Sequence, residues 1–476
     1  MNFDKKFYFQ SLLGLTIITG LSILTFWQNS LNNPVWLAVN LAILLLAIYN
    51  LEYGLYIVLG ELFIGSFGQI LAFNLDGLQI PIRISIFLII MSVWLAKLII
   101  NLIRTKKLQP LLRIREKSLK KYYLILGIFI LWGVIWGFVR QNTFANIFFD
   151  SNAWIYFFYI LPFYDFLGKD KTPKILVLLG AGITINFLIT FFSFIIFTQN
   201  INWLAGHLYK FIRDLRWGEI TYSGNNLWRI FLQSQIYSLI GFLILASNIV
   251  LGDNQTSKNK KITWLLITIS LLTVYLSLSR SFWLGLIISL IALIVWILFK
   301  YQINWRKIAT WLGILAMITI CEFGLIIVLA GQGTGDLLSR RLTDLTEAAG
   351  VSRFNQLKPL GLAIMKHPII GSGFGTTVTY FSRDPRILEK APDGRYTTYA
   401  FEWGYLDILL KIGLAGLVTY LLLIWQIIKR LSQQKMAVGL LVGLIGIIVT
   451  NIFSPYLNHP LGIGYLLLLS TLSDSN

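Results

Sequence analysis

Positively charged residues occupy every second loop of this chain, and this alternation constrains the fold more than any other feature. The chain is a series of apolar runs, and the loops between them are alternately basic and nearly free of charge. Lys and Arg accumulate on the cytoplasmic side of integral membrane proteins, whereas a soluble protein has no cause to alternate them. Because helices satisfy their own backbone hydrogen bonds in lipid, the pattern predicts an all-α, polytopic integral membrane protein.

The apolar runs predict about 12–14 transmembrane helices, since several runs are shorter than the ~20 residues of a straight span. The runs are 7–27, 34–49, 52–66, 83–102, 122–139, 153–168, 175–197, 230–250, 263–279, 281–299, 308–331, 404–428, 437–456 and 460–472. The first run is long enough to span and lacks a small-residue cleavage site, so we do not expect a cleavable signal peptide.

Six basic segments fall on the same side when these runs are counted as crossings. They are Lys5–Lys6 and the segments 104–121, 169–174, 258–261, 300–307 and 429–435. Under the positive-inside rule this side is the cytoplasm, so both termini are predicted to be cytoplasmic.

The composition excludes other classes of protein. The chain is 56% hydrophobic and 13% charged, about half the charged fraction of a soluble domain. Its net charge of +19 is spread over separate short loops, which argues against a nucleic-acid partner. The one cysteine, Cys321, excludes an internal disulfide and a cysteine-based metal site.

Two loops on the predicted outer face are long, and they divide the chain into three segments. Residues 1–331 are predicted to form an N-terminal transmembrane bundle that includes the outer loop 198–229. Residues 332–403 form a large extracytoplasmic loop, and residues 404–476 the C-terminal transmembrane helices. Within the large loop, Arg340–Gly350 and Asn355–Lys366 have the apolar periodicity of amphipathic helices.

Arginines on the outer face are the first candidates for chemistry. Arg229 is placed where the span 230–250 begins, and Arg280 lies between two apolar runs. A guanidinium matches phosphate oxygens bidentately, so such arginines suggest a lipid-linked phosphate or pyrophosphate. The alternative is that they extend to lipid head groups, which we favour for any single arginine of the large loop, Arg353 included.

Acidic residues give the second set of candidates. Glu402 lies at the start of the span that follows the large loop. Its carboxylate either interacts favourably with the helix dipole, which is a structural role, or serves as a general base. Asp407 and Lys411 are four residues apart on the same helix and are expected to pair. Glu61 and Glu322 lie within spans, and because buried carboxylates mark ion relays, a transporter remains an alternative.

His367 precedes a proline and the run Gly371-Ser-Gly-Phe-Gly375. No strand and helix flank this run as a P-loop or dinucleotide fingerprint requires. We interpret it as a tight turn in which the glycines supply positive φ. The other two histidines, His207 and His459, lack the ligand spacing of a metal site.

Three motifs in order resemble the O-antigen ligase and polymerase superfamily. Ser279-Arg280, followed by Gly285, is similar to its Ser-Arg-x-x-x-x-Gly signature. Arg353, followed by His367-Pro-Ile-Ile-Gly-Ser-Gly, resembles a helix that precedes His-Pro-x-x-Gly-x-Gly. The stretch from Glu402 to Gly416 resembles a third motif that re-enters the membrane, and the resemblance covers roughly residues 270–430.

The resemblance implies a glycosyltransferase of the bacterial inner membrane with its active site on the outer face. Such enzymes transfer a glycan from undecaprenyl pyrophosphate to an acceptor hydroxyl, without a nucleotide sugar or a metal. It implies pyrophosphate binding by Arg280 and, by position, Arg229. Substrate contacts are expected at Arg353, His367 and Tyr405 in addition. The expected partners are the lipid-linked glycan, the bilayer and a chain-length regulator or export complex, with no cofactor.

One departure from the family pattern bears on the acceptor. Ligases of the family commonly have His-Asn where this chain has Glu402-Trp403. A carboxylate can activate a hydroxyl as an imidazole does, so Glu402 and Arg280 are the predicted catalytic residues. The change favours a polymerase of O-antigen or exopolysaccharide repeat units over a ligase, which stays the alternative. A transporter and a non-catalytic scaffold of an export complex are further rivals.

Overall fold

The computed structural model describes residues 4–75, 78–105, 117–252, 257–301, 304–331, 348–383, 385–389 and 391–473. In these ranges nearly all regular structure is helical, which confirms the all-α prediction. In chain order the helices are α1 Lys5–Trp27, α2 Asn32–Tyr49, α3 Leu51–Ile64, α4 Ile82–Thr105, α5 Lys117–Val139, α6 Phe144–Ile155, α7 Ile160–Phe166, α8 Thr172–Thr198, α9 Asn202–Asp214, α10 Ile236–Leu251, α11 Ser257–Leu276, α12 Arg280–Tyr301, α13 Trp305–Ala330, α14 Ala348–Lys366, α15 Pro385–Leu388, α16 Gly404–Leu431, α17 Val438–Thr450 and α18 Pro460–Ser473.

Nine helices of the described residues are long and apolar enough to cross a membrane. Two shorter apolar helices, Val438–Thr450 and Pro460–Leu472, follow near the end of the chain. The chain is therefore a multi-pass membrane protein. Polar side chains set several of the helix ends: Asp4 accepts the amide hydrogen of Phe7 before α1, and Asn50 accepts that of Glu52 before α3.

The predicted span 153–168 is not one helix in the structure. Helix α6 ends at Ile155, residues Tyr156–Tyr159 form a 3-10 turn, and α7 then runs only to Phe166. Pro162 explains the break, because it lacks an amide hydrogen and is tolerated only in the first turn of a helix. Its place within the first turn of α7 fits this rule.

In the described ranges three two-stranded antiparallel hairpins interrupt the helices, and the sequence pattern did not reveal them. Their strands are β1 Ala72–Leu75 with β2 Leu78–Pro81, β3 Gly218–Tyr222 with β4 Trp228–Leu232, and β5 Val378–Phe381 with β6 Arg395–Thr398. The last two lie in the two predicted outer loops. Each strand is only four or five residues long, too short for a periodic signal to stand out.

The chain folds into two compact units, each made of separate stretches of sequence. The first unit contains Met1–Arg113, Tyr159–Leu338 and Gln434–Gly446. The second contains Ile114–Phe158, Ser339–Gln433 and Ile447–Asn476. The division into 1–331, 332–403 and 404–476 concerns membrane position and stays a prediction.

Some predictions fall outside the described residues. Residues 106–116 of the basic segment 104–121 lie outside them. Residues 340–347 of the predicted helix Arg340–Gly350 also lie outside them. The remaining residues of this predicted helix, 348–350, form the start of α14. The second predicted helix of the large loop, Asn355–Lys366, is confirmed, since α14 continues through it to Lys366.

A buried ion pair holds part of the first unit together. Arg83 donates to both carboxylate oxygens of Glu61, at 2.9 Å each, and to the carbonyl of Ser66 at 2.8 Å. Both charged side chains are less than a tenth exposed. Because the partner satisfies both oxygens, Glu61 acts here as a structural anchor for the end of α3.

Candidate active site

The turn before Arg280 belongs to the first unit and has an unusual backbone. Helix α11 ends at Leu276, and α12 begins at Arg280. Between them Leu278 has φ of 44°, a left-handed conformation that non-glycine residues rarely adopt. Ser277 supports the turn, because its hydroxyl oxygen accepts the amide hydrogen of Ser279 at 3.2 Å. Strained backbone of this kind clusters at functional sites.

Arg229 lies on a strand and not at the start of a helix, which corrects the sequence interpretation. It is part of β4, opposite Thr221 of β3, and α10 begins only at Ile236. The hairpin turns at Gly224, Asn225 and Asn226, all with positive φ. Glycine and asparagine accept that conformation at low cost, so the local sequence favours a turn and two strands there.

The structure brings Arg229 to the turn that precedes Arg280. Its Nε donates to the carbonyl of Ser277 at 3.1 Å, and its guanidinium lies over the ring of Phe231 at 4.6 Å. One terminal nitrogen is 3.6 Å from a carboxylate oxygen of Glu219. The two arginines named from sequence therefore neighbour the same turn, and Arg280 is half-buried there.

In the second unit, Glu402 forms an ion pair with Arg353. The Arg353 Nε donates to a carboxylate oxygen of Glu402, and the two side chains are 35% and 44% exposed. Helix α16 begins at Gly404 with Trp403 as its N-cap. Glu402 thus precedes the cap, and its carboxylate is engaged by an arginine of α14 and does not cap the helix.

Side chains of α14 and α16 hold the backbone around Glu402. Trp403 Nε1 donates to the carbonyl of Arg353 at 2.9 Å, and Gln356 accepts the amide hydrogen of Glu402 at 3.4 Å. A small apolar core lies in the same unit, formed by Leu360, Ile364, Val378, Phe401 and Leu410. This packing joins α14, which carries Arg353, to Phe401 next to Glu402 and to Leu410 of α16.

The glycine run after His367 closes a break in α16. Gly413 has φ of 71° and ψ of −178°, which interrupts the helix. The carbonyls of Leu410 and Lys411 accept amide hydrogens from Ser372 and Gly373, at 2.6 and 3.1 Å. Below the break, the amides of Leu414 and Ala415 donate to the carbonyls of Pro368 and Ile369, at 2.8 and 3.1 Å.

The same run lies close to α5. The amide of Phe374 donates to the carbonyl of Gly133 at 2.9 Å, and a Cβ at Gly373 would lie 2.5 Å from the backbone nitrogen of Gly137. Gly371, Gly373 and Gly375 all have positive φ, so the turn predicted from sequence is confirmed. The motif is therefore a backbone element that supports the broken helix.

His367 and Tyr405 have partners within the second unit. His367 packs edge-on to Trp136, with ring centroids 6.5 Å apart. Desolvation, with the charges of Arg140 and Lys366, lowers the pKa of His367, so the imidazole is neutral at pH 7. The Tyr405 hydroxyl donates to the carbonyl of Ile448 at 2.8 Å.

Asp150 is the residue that sequence reasoning missed. The predicted Asp407–Lys411 pair is present at 3.9 Å, but the close partner of the Lys411 ammonium is the Asp150 carboxylate. Asp150 follows Phe148 and Phe149 in the sequence, and a lone carboxylate in an apolar stretch implies a buried partner. That signal existed, although it could not identify Lys411, which is 261 residues away.

Glu322 of α13 is buried in the first unit, and among the described residues neither carboxylate oxygen has a hydrogen-bond partner. An electrostatic interaction links it to Tyr275 of α11. Across the part of the chain that the structure describes, no group of three or more His, Cys, Asp or Glu side chains could hold a metal ion.

The comparisons with known proteins support the resemblance seen in the motifs. Residues 265–421 match the family model described as O-antigen ligase. The match covers about a third of the chain and contains Arg280, Arg353, His367, Glu402 and Tyr405. Arg229 lies before it. No curated protein matches the chain.

Proposed function

Because residues 265–421 carry an O-antigen ligase domain, with the glycosyl-transfer activity typical of that family, we propose that this protein polymerises O-antigen or exopolysaccharide repeat units. The donor is a glycan on undecaprenyl pyrophosphate, and the acceptor is a hydroxyl of a second glycan. The reaction takes place on the outer face of a bacterial cytoplasmic membrane, without a metal. The alternative within the family is a ligase that transfers the glycan to a lipid or another acceptor.

The Arg353–Glu402 pair is the observation that carries this proposal. The carboxylate precedes the first turn of α16, is about half exposed, and has an arginine as its partner. In this pair the two charges neutralise each other. An anionic donor head group would compete for Arg353, and Glu402 would then be free to accept a proton. Binding of the donor thereby prepares the base.

The proposed reaction is an inverting displacement at the anomeric carbon. The acceptor oxygen forms a bond to that carbon as the bond to the pyrophosphate oxygen breaks. Glu402 takes the hydroxyl proton and later releases it to water, and undecaprenyl pyrophosphate leaves with the bonding electron pair. Arg280 and Arg229 would stabilise the charge that develops on the pyrophosphate, an electrostatic effect that dominates much of catalysis.

The broken helix gives no support to the transporter alternative. In transporters, the backbone groups freed at such breaks bind the ion or substrate. Here the carbonyls of Leu410 and Lys411 already accept hydrogen bonds from the glycine run. The buried carboxylate of Glu61 is likewise occupied by Arg83.

Replacing Glu402 by Gln tests the proposed base. The amide keeps the size and hydrogen bonding of the side chain but cannot accept a proton. We expect turnover of a lipid-linked donor by the purified variant in liposomes to fall about 10²–10⁴-fold. Glu389→Gln, an exposed carboxylate of the same loop, serves as the control and should keep wild-type turnover. A Glu402→Gln enzyme that polymerises at the wild-type rate would exclude Glu402 as the base.

Deletion of the gene distinguishes polymerase from ligase. Single repeat units on undecaprenyl pyrophosphate would identify a lost polymerase, as we expect. Long polymer that remains on the lipid carrier would identify a lost ligase and overturn the polymerase assignment. Mass spectrometry of the extracted lipid-linked glycans gives the chain length directly.

A further inference from the structure

Lys411 is almost wholly buried in the second unit, although it is a lysine within an apolar helix. Its side chain is 1% exposed, and those of Asp150 and Asp407 are each 8% exposed. The ammonium donates to the Asp150 carboxylate and, at 2.5 Å, to the carbonyl of Tyr399. Burying these charges costs several kcal/mol per ion before pairing, so their stability contribution alone is a weak reason for their presence.

The contacts of this cluster reach three separate segments of the unit. Asp150 lies on α6 and also accepts the amide hydrogen of Gly375 at 2.7 Å, at the end of the glycine run. Tyr399 lies in the segment that leads to Glu402. One ammonium thus connects α6, the glycine run and the segment 399–403.

The segment 399–403 is held on both sides of Glu402. Before it, Lys411 binds the Tyr399 carbonyl. After it, Trp403 is bonded to the Arg353 carbonyl. The rings of Tyr399 and Phe401 lie 6.0 and 5.5 Å from the ammonium, close enough for a cation–π contribution.

We propose that Lys411 is a positioning residue for Glu402, which it orients through the carbonyl of Tyr399, with Asp150 as its neutralising partner. The inference rests on the proposed function, in which Glu402 is the base. General-base catalysis requires the carboxylate within hydrogen-bond reach of the acceptor hydroxyl. Loss of the Tyr399 contact lets the segment move, so the chemical step slows while donor binding is kept.

The variants are chosen so that each buried charge that remains keeps a polar partner. In the double variant Asp407 still accepts a hydrogen bond from Asn458 at 2.6 Å, and in Asp150→Asn the ammonium still faces Asp407 and the Tyr399 carbonyl. Lys411→Met with Asp150→Asn removes the ammonium and the Asp150 charge together, and the amide oxygen at position 150 can still accept the Gly375 hydrogen. Asp150→Asn alone keeps the Lys411–Tyr399 contact. Lys429→Met is the matched control, an exposed lysine near the other end of α16. Size-exclusion elution in detergent should be the same for all of them.

Two measurements test the proposal. The donor is the lipid-linked glycan extracted from the deletion strain, and hydrogen exchange is followed on peptides that cover 399–403. For the double variant we expect kcat to fall about tenfold to a hundredfold with KM within about twofold, because a small misplacement of a catalytic group has effects of that size. Exchange at 399–403 should become at least about tenfold faster. Lys429→Met should stay close to wild type in both measurements. Asp150→Asn, in which the Lys411–Tyr399 contact remains, should keep slow exchange at 399–403.

Unchanged exchange at 399–403 in the double variant would overturn the role of Lys411, whatever Glu402→Gln does. If exchange in the double variant is faster but Glu402→Gln turns over normally, the proposed base is wrong. The result would still support the contact by which Lys411 orders the segment 399–403. If the double variant aggregates, Lys411→Arg is measured instead. Its guanidinium offers donors for both Asp150 and the Tyr399 carbonyl. It should exchange slowly at 399–403, and fast exchange there would contradict the proposal.

Discussion

At the scale of single residues, the shape of a charged group matters as much as its sign. Arg229 uses Nε for the Ser277 carbonyl and one face for the ring of Phe231. A lysine in that place has neither a planar face nor a fixed fork of donors. The same argument applies to Arg280, which follows the strained turn at Leu278.

Arg280→Lys tests whether geometry or charge is needed at this turn. The ammonium keeps the positive charge but cannot bind a pyrophosphate bidentately, so polymer formation should fall about tenfold or more. Arg280→Ala should be more severe, with expression close to normal. The control is Arg306→Lys, an exposed arginine at the start of α13. Full activity of Arg280→Ala would support the alternative that this arginine only extends to lipid head groups.

At the scale of elements, the glycine run and the broken helix form one structure. The break at Gly413 frees backbone groups that lipid cannot satisfy, and the run 368–373 satisfies them. Gly413 itself requires a backbone conformation that is essentially restricted to glycine. A Cβ there would also lie 2.3 Å from the carbonyl oxygen of Ile369 and 2.4 Å from the amide nitrogen of Gly371.

Gly413→Ala should therefore destabilise the protein strongly. The added methyl group meets the backbone of Ile369 and Gly371, which cannot move away as the end of a flexible side chain can. We expect a loss of about 3 kcal/mol or more, seen as a lower midpoint of thermal unfolding in detergent. Gly361→Ala in α14 is the matched control, because nothing lies within 4 Å of its added Cβ. There alanine should be neutral or stabilise by up to ~1 kcal/mol, and equal midpoints for the two variants would contradict the role of Gly413.

At the scale of the whole molecule, the basic loops predict how the chain crosses the membrane. The parity of the basic loops places residues 332–403 outside and both termini inside. The exposed side chains Asp393 and Asp170, 63% and 71% exposed, lie in loops of opposite predicted side. They offer one labelling site for each face.

Cysteine labelling in a Cys321→Ser background checks this arrangement. Asp393→Cys should react with an impermeant maleimide in intact spheroplasts, because its loop is predicted to be extracytoplasmic. Asp170→Cys should react only after lysis. Labelling of Asp393→Cys that requires lysis would reverse the orientation and remove the proposed active site from the outer face.

The sequence alone determined the class of fold and most helix ends, since hydrophobic runs and capping residues act over a few neighbouring positions. The predicted spans 7–27 and 308–331 correspond to α1 and α13 within three residues at each end. The motif residues could also be named from sequence, including Arg280, Arg353 and Glu402. The family model that matches residues 265–421 confirms the resemblance that these motifs indicate.

Only the tertiary structure decided which of these residues meet. The Arg353–Glu402 pair joins positions 49 residues apart, and the Lys411–Asp150 pair joins positions 261 apart. A sequence pattern carries local periodicity, whereas such pairs depend on how distant helices pack. The hairpin of Arg229 and the closure of the Gly413 break have the same origin, because their hydrogen bonds form only after separate segments have come together.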